Sequence, residues 1–340
     1  MRRKEQAKAL WNMCFNDSEN FTELYFRKRY TDYNTIGLSE DGAMATVMQL
    51  LPYPFHLFNR QLPSAYVSGA CTNPEYRNKG LMSKLLKKGL NSLNDTEIPI
   101  CTLIPANDWL YGYYRHSGFE TVFFNTTTSF DFKKKISTEQ YSLIVEDTYS
   151  PKAYEFLEKC LTSYPCSILH TKDDYEVILE DLRLANGKVF LLSEFGQVVA
   201  IAIAYFNSED GSIHINELQN ITREAKDAIL SLISNHFNTS HFIHTHAATA
   251  QSTEQYGMLR IVKAQDVLEV FAKAKPEMCT QFYLEDDIIK ANQGIYNVEQ
   301  GKVSFEAVKE QPAGVEKWSI EKLASELFKP LQPYMSLMLD

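Results

Sequence analysis

The chain has 340 residues, of which 44% are hydrophobic and 23% charged, enough apolar material for two or three packed domains rather than a disordered chain. Its formal net charge of -9 argues against a nucleic-acid binder, which presents a basic surface, and suits a cationic substrate such as an amine. No apolar run approaches the roughly 20 residues of a membrane-spanning helix, and the opening MRRKEQAKALWNM has basic residues with no apolar segment behind them, so neither a membrane span nor a signal peptide is expected.

The six cysteines, Cys14, Cys71, Cys101, Cys160, Cys166 and Cys279, form no CxxC pair, which makes a reduced cytoplasmic protein the expectation. Residues 4–14 and about 18–30 read as two helices, with Asp17 or Ser18 as N-cap of the second. Asn34–Leu38 and Ala43–Leu51 read as strands around the turn Glu40-Asp41-Gly42. Ala65–Thr72, AYVSGACT, is small and apolar, like a strand closely approached by something else.

The stretch from Thr72 to Leu86, TNPEYRNKGLMSKLL, is the most informative in the chain. An extended run meets a proline turn, passes through Arg77-Asn78-Lys79-Gly80 and opens into a helix. Backbone N–H groups at a helix start have no intrahelical partner, and the helix dipole adds positive potential there. The layout therefore predicts a pyrophosphate cradle. Leu81, Leu85, Leu86, Leu90 and Leu93 continue at helical spacing. Ile98–Ile104 reads as a buried strand, Asn107–His116 as a short aromatic helix closed by Gly118 at C′, and Val122–Phe132 as another strand. Alternating helices and strands predict an α/β fold with mixed sheets.

Lys133-Lys134-Lys135 reads as a solvated linker and marks a boundary. Beyond it come helices near 151–162 and 172–185, strands at 188–194 and 197–206 around Phe195-Gly196, a strand at 212–218 and a helix at 223–237. The order of elements repeats the first block, but 219–225 contains no glycine, and a backbone that closely approaches phosphate usually needs one. A third block opens with the strand MLRIV from Met258, a helix at 264–274, short strands at 282–285, 294–298 and 303–307, and a helix at 319–328 with Ser319 as N-cap. The closing PYMSLMLD is mostly apolar and is expected to dock rather than fray. The blocks are 1–135, 136–256 and 257–340.

Arg77-Asn78-Lys79-Gly80-Leu81-Met82 resembles the R-x-x-G-x-G/A signature of the GNAT acyl-CoA N-acyltransferases, with Met82 in place of the usual small residue. Asn107 and Tyr114-Arg115-His116-Ser117-Gly118-Phe119 resemble that family's asparagine followed by Y-x-x-x-G-F, in the expected order. The resemblance covers roughly residues 1–132. With a second block that lacks the cradle, and a small third unit beginning at Gly257-Met258-Leu259-Arg260, the chain resembles the enhanced intracellular survival (Eis) type, whose third unit is sterol-carrier-like. That resemblance implies two GNAT-type mixed-sheet domains in tandem, the second degenerate, followed by a short sterol-carrier-like α+β unit, and a homo-oligomer.

The same resemblance implies acetyl-CoA as cosubstrate, with no metal, and an amine acceptor, either a small molecule or a lysine side chain, with neither a nucleic acid nor a membrane as partner. It places Tyr114 as general acid, the carboxylate at Asp340 as base, and Ala70, Cys71 and Thr72 beside the pantetheine arm together with Asn107. Arg77, Asn78, Lys79, Gly80, Leu81, Met82 and Ser83 form the pyrophosphate site. A phenol of pKa about 10 is a poor base at neutral pH but can donate to a departing thiolate. The alternative is a non-enzymatic module that binds acyl-CoA for sensing or scaffolding.

Simpler readings stand beside these. Tyr114 is one of 19 tyrosines, and only its motif position singles it out. Cys71 has no His/Asp arrangement that would make it a nucleophile and reads as a small buried hydrophobe. Arg77 and Lys79 either touch phosphates or face solvent. Of His236, His241, His244 and His246, His244 and His246 share a strand face, a metal pair without a third ligand at a typical spacing, so a packed strand is the better reading. Asp286-Asp287 and Glu209-Asp210 read as turn or surface charges.

Overall fold

A computed structural model describes residues 2–134, 136–248 and 254–339. The described residues divide into two units: one formed by residues up to 123 together with 256–333, the other by residues 124–255 together with 334–339. The residues read as a third block therefore fall into both.

In the first unit, α1 (Arg3–Cys14) buries Ala7, Leu10 and Trp11, and the Trp11 ring packs on Tyr25 and Phe26 of α2 (Glu19–Lys28). Ser18 caps α2, its Oγ accepting the N–H of Phe21 at 3.2 Å. Then β1 (Thr35–Glu40), β2 (Ala43–Leu57) and β3 (Arg60–Thr72) pair antiparallel in sequence. The β2–β3 hairpin is longer than its sequence suggests. Pro54 and Pro63 lie inside it and stand opposite each other in register. A facing pair that exchanges no ladder bonds loses nothing when both N–H groups are missing.

α3 (Leu81–Asp95) follows, then β4 (Ile100–Leu103), α4 (Asp108–Arg115) and the start of β5 (Glu120–Asp131). Leu85, Leu86, Leu90 and Leu93 of α3 are buried in one cluster with Met48, Ala65 and Val67 of β2 and β3. Gly89 lets the helix come close, since a Cβ there would lie 2.4 Å from the Met48 Cε.

The second unit continues β5 and adds β6 (Tyr141–Glu146), α5 (Pro151–Leu161), β7 (Cys166–Ile168), α6 (Lys172–Leu184), β8 (Lys188–Glu194), β9 (Gln197–Asn207), β10 (Ser212–Asn220), α7 (Arg223–Phe237) and β11 (His241–Ala247). Its sheet runs β5-β11-β10-β9-β8-β6, with β10 and β11 parallel. The sequence reading missed β6 and β7: β6 is largely exposed and β7 has only three residues. At the glycine-free segment, Thr222 caps α7, its Oγ1 accepting the N–H of Ala225 at 3.1 Å. The side chain takes a donor that a phosphate would need.

The chain then returns to the first unit with β12 (Glu254–Ile261), whose Met258–Ile261 pair with β4. That sheet runs β1-β2-β3-β4-β12, with β3 and β4 parallel. α8 (Ala264–Ala274), β13 (Thr280–Glu285), β14 (Gly294–Glu299), β15 (Lys302–Glu306), β16 (Lys317–Ser319) and α9 (Ile320–Phe328) complete it, with a small sheet ordered β15-β14-β13-β16. The fold is mixed α/β, as expected. Among the described residues no helix is long and apolar enough to cross a membrane.

Asp286 corrects its reading as a surface charge. It is 1% exposed and takes Arg260 Nη2 on both carboxylate oxygens, each at 2.7 Å. Burial opposes its ionisation, but the charge and hydrogen bonds of Arg260 hold its pKa below the usual carboxylate value. Asp287 is exposed, as expected. Gly118 also differs from expectation: His116 is the C-cap of α4, and Gly118 lies two residues beyond it at φ +83°. A Cβ there would meet Arg260 Nε at 2.5 Å, so glycine answers both the backbone and the buried guanidinium.

The apolar end is docked, in the second unit. Ile168 N–H donates to Tyr334 O at 3.0 Å, Tyr334 N–H donates to Cys166 O at 2.9 Å, and Tyr334 stacks on Tyr164.

Candidate active site

The site begins where β3 leaves β4. Their parallel pairing covers Ser64, Ala65 and Tyr66 against Ile100, Cys101 and Thr102. From Val67 to Thr72, β3 keeps its β2 partners on one side and has none from β4 on the other. A bulge opposite Met48 takes up Gly69 and Ala70, with Gly69 at φ +57°. A Cβ at Gly69 would lie 2.2 Å from the Trp11 ring, so the bulge fits only against glycine. The side of β3 that has left β4 leaves room for an extended ligand arm to lie as an added strand, although Cys71 O already accepts from Thr46 Oγ1 and Thr72 O from Arg77 Nε.

At the end of β3, Asn73 caps a single turn over Pro74–Tyr76, and the chain reaches Asn78 at φ +62° and Gly80 at φ +72°. Gly80 is the N-cap of α3 and has no side-chain cap bond. Among the described residues, the N–H groups of Leu81, Met82 and Ser83 have no hydrogen-bond partner, and the first turn carries no acidic residue. A Cβ at Gly80 would meet nothing within 4 Å, so the backbone there faces open space. Free N–H groups, a dipole end and room for a guest fit the phosphates of a coenzyme A.

Arg77 turns back toward the strand. Its Nε donates to Thr72 O at 3.2 Å and its Nη2 to Cys14 Sγ at 3.8 Å. Lys79 Nζ lies over the Tyr76 ring, 4.7 Å from its centroid. Both are exposed. Ser83 Oγ and Tyr113 Oη are 3.1 Å apart, which ties the start of α3 to α4.

Tyr114 on α4 is 7% exposed and packs in one cluster with Leu86, Cys101 and Phe119, against which Ala70 and Met82 also lie. Its hydroxyl makes no hydrogen bond with a described residue. Burial first, then Tyr113 and Cys71, push its phenol well above the usual value. The group stays protonated through the neutral range. Asn107 is the exposed N-cap residue of α4, and its side chain makes no cap bond. The structure thus gathers Ala70, Cys71, Thr72, Arg77, Met82, Ser83 and Tyr114 around one strand end and two helices. Asp340 lies outside the described residues.

The sequence reading missed Cys14, Trp11 and Tyr113. Cys14 and Trp11 approach β3 from more than 50 positions away, and no local pattern announces that. The histidine stretch belongs to the second unit. His244 is buried, and burial with the neighbouring His246 lowers its pKa to about 3. Among the described residues no cluster of three or more His, Cys, Asp and Glu is placed to hold a metal ion.

Residues 2–122 match the family model described as an acetyltransferase (GNAT) domain. No curated protein matches the sequence. Solved structures do match in fold. A GCN5-related N-acetyltransferase from Anabaena variabilis superposes with a TM-score of 0.77 at 20% identity, covering 96% of this chain and 89% of that one. One from Kribbella flavida gives 0.75 at 16% identity, covering 99% and 95%. Eis1 from Mycobacterium abscessus gives 0.73 at 12% identity, covering 96% and 87%. The fold is GNAT-like, and the match to the acetyltransferase (GNAT) family model is confined to residues 2–122.

Proposed function

We propose that the chain is an acetyl-CoA-dependent N-acetyltransferase that transfers the acyl group directly to an amine. The observation that carries this reading is the open side of β3 from Val67 to Thr72, which leads into the unpartnered N–H groups of Leu81, Met82 and Ser83. The pantetheine arm lies along Ala70, Cys71 and Thr72, the pyrophosphate sits over Asn78–Ser83, and Arg77 and Lys79 add positive charge. Asn107 bonds the arm. The amine nitrogen attacks the thioester carbonyl, the C–N bond forms as the C–S bond breaks, and Tyr114 gives its proton to the departing thiolate. Its protonated state at neutral pH supports that role. The carboxylate at Asp340 as base rests on the resemblance alone.

The same proposal takes residues 136–256 as a second GNAT-like domain without a cofactor site and 257–340 as a sterol-carrier-like unit. Thr222 capping α7 supports a single acyl-CoA site. An amine acceptor, a cytoplasmic setting and a homo-oligomer complete the proposal.

The test is thiol release from acetyl-CoA across an amine library, run beside calorimetric CoA binding. Turnover with at least one amine is the expected result. CoA binding without turnover against any amine favours the sensing module instead, and absence of both overturns the reading.

A further inference from the structure

Of the three tryptophans, Trp109 is the open one: its side chain leaves the residue 69% exposed, while Trp11 and Trp318 are 3% and 9% exposed. A lone apolar side chain on a surface needs no explanation. Trp109 is not alone. It stands in the first turn of α4, two residues after Asn107, and its ring meets that of Tyr113 one helical turn on, edge to face with centroids 6.2 Å apart. The Tyr113 hydroxyl in turn lies 3.1 Å from Ser83 Oγ. Ser83 is the last of the three α3 residues whose backbone N–H groups have no partner among the described residues. Serine, phenol and indole therefore form a row that starts at the proposed pyrophosphate cradle and ends in solvent.

Charge is divided along the same row. Lys87 stands four residues after Ser83, on the same face of α3. It is exposed and forms no ion pair among the described residues. At the other end, Asp108 precedes Trp109 and is exposed too. The α3 side is thus the cationic one, and the start of α4 the anionic one.

We propose that this row is the nucleotide subsite of the acyl-CoA site, with the adenine stacked on Trp109 and the 3′-phosphate facing Lys87. It rests on the acyl-CoA reading above and adds which side chains recognise the nucleotide end of the cosubstrate. An aromatic side chain with a free face takes a base by stacking, because every base has a π-face. Tyr113 meets the indole edge-on, so a face remains for the adenine. The ammonium of Lys87 supplies a point charge to a phosphate. Asp108 repels the same phosphate, which turns that end of the nucleotide toward α3. A site built this way prefers a coenzyme A thioester to the same thioester on a phosphopantetheine arm that carries no adenosine.

The test is calorimetric titration of the full chain with CoA, dephospho-CoA and 4′-phosphopantetheine, with tryptophan emission followed alongside. Trp109 and Lys87 are both exposed, so Trp109→Ala and Lys87→Gln should melt with the wild type. Trp109→Ala should weaken CoA about tenfold and leave 4′-phosphopantetheine unchanged. Lys87→Gln should weaken CoA about threefold and bind CoA and dephospho-CoA alike. CoA should quench the wild-type emission, and the quench should vanish in Trp109→Phe. Equal CoA affinity of Trp109→Ala and the wild type overturns the subsite and leaves the acyltransferase reading standing. A wild type that prefers CoA to dephospho-CoA no less in Lys87→Gln removes the lysine from the proposal. Absence of CoA binding by the wild type overturns both readings together.

Discussion

Tyr334 donates its phenolic hydrogen to Glu217 Oε1 at 2.6 Å, and that bond anchors the segment from Tyr334 to Leu339 within the second unit. Ser336 Oγ donates to the other carboxylate oxygen, while Leu218 N–H and Gln219 Nε2 share the first. A carboxylate this deep is pushed upward in pKa by burial and held back by those donors. Glu217→Ala removes the acceptor of two tail hydroxyls and strands a buried phenol, at about 1–3 kcal/mol. Limited proteolysis should then cut within 334–339 while the wild type resists. Equal resistance of the two proteins would refute the anchor.

His244 gives a pH prediction of defined sign. Its folded pKa, lowered to about 3 from the usual 6.5 of a free imidazole, means that the native state binds fewer protons than the unfolded chain between those values. Its contribution to stability is complete above pH 6.5 and is lost as pH falls toward 3. Thermal melts of His244→Leu should lose less stability than the wild type between pH 6.5 and 4. Parallel acid limbs would show that another group dominates.

Gly80 separates binding from folding. Its φ of +72° disfavours any side chain, but no atom stands within 4 Å of a Cβ there. Gly80→Asn, which tolerates the left-handed region, should cost at most about 1 kcal/mol. Gly80→Glu should also melt within a few degrees of the wild type, yet lose CoA affinity by tenfold or more in calorimetry, because a negative side chain enters the proposed phosphate space. Unchanged affinity would remove the cradle from the proposed site.

Arg260 and Asp286 form a buried pair, 0% and 1% exposed, that fastens β12 to Ser117 O and to the loop after β13. Asp286→Ala leaves the guanidinium unpaired and should cost about 3–5 kcal/mol in chemical denaturation. Gly118→Ala should be destabilising too, by collision with Arg260. A loss under 1 kcal/mol in both would mean that water or a rearranged partner replaces the pair.

Tyr114→Phe removes a hydroxyl that has no hydrogen bond within the described chain. Melting temperature should barely change, while kcat falls about 100-fold or more if the phenol is the proton donor. With the phenol raised above its usual value, Tyr114 should impose no basic limb on the rate below about pH 10. Wild-type turnover in the variant would exclude the role.

Much of the cradle was legible because its physics is local. Gly80 before an amphipathic helix, Pro74 before that, and the leucine spacing behind it to Leu93 all lie within twenty residues. The β2–β3 hairpin was only half legible: the strands read at 43–51 and 65–72 extend through Pro54 and Pro63, which face each other and so lose no ladder bond. Asp286 could not be read at all: a carboxylate beside another in a polar turn looks like surface until Arg260 closes on it.

Order, spacing and amphipathicity were the sequence's own determination: a mixed α/β chain, a glycine-capped helix after a small-residue strand, and Tyr114 on the helix that follows. Tertiary structure decided which distant groups share a space. Only packing brings Cys14 to Thr72 O and Arg77, parts β3 from β4 after Tyr66, and buries Arg260 with its counter-ion. Hydrogen bonds and ion pairs of that kind depend on distances that close only when separate segments meet, and no local pattern encodes them.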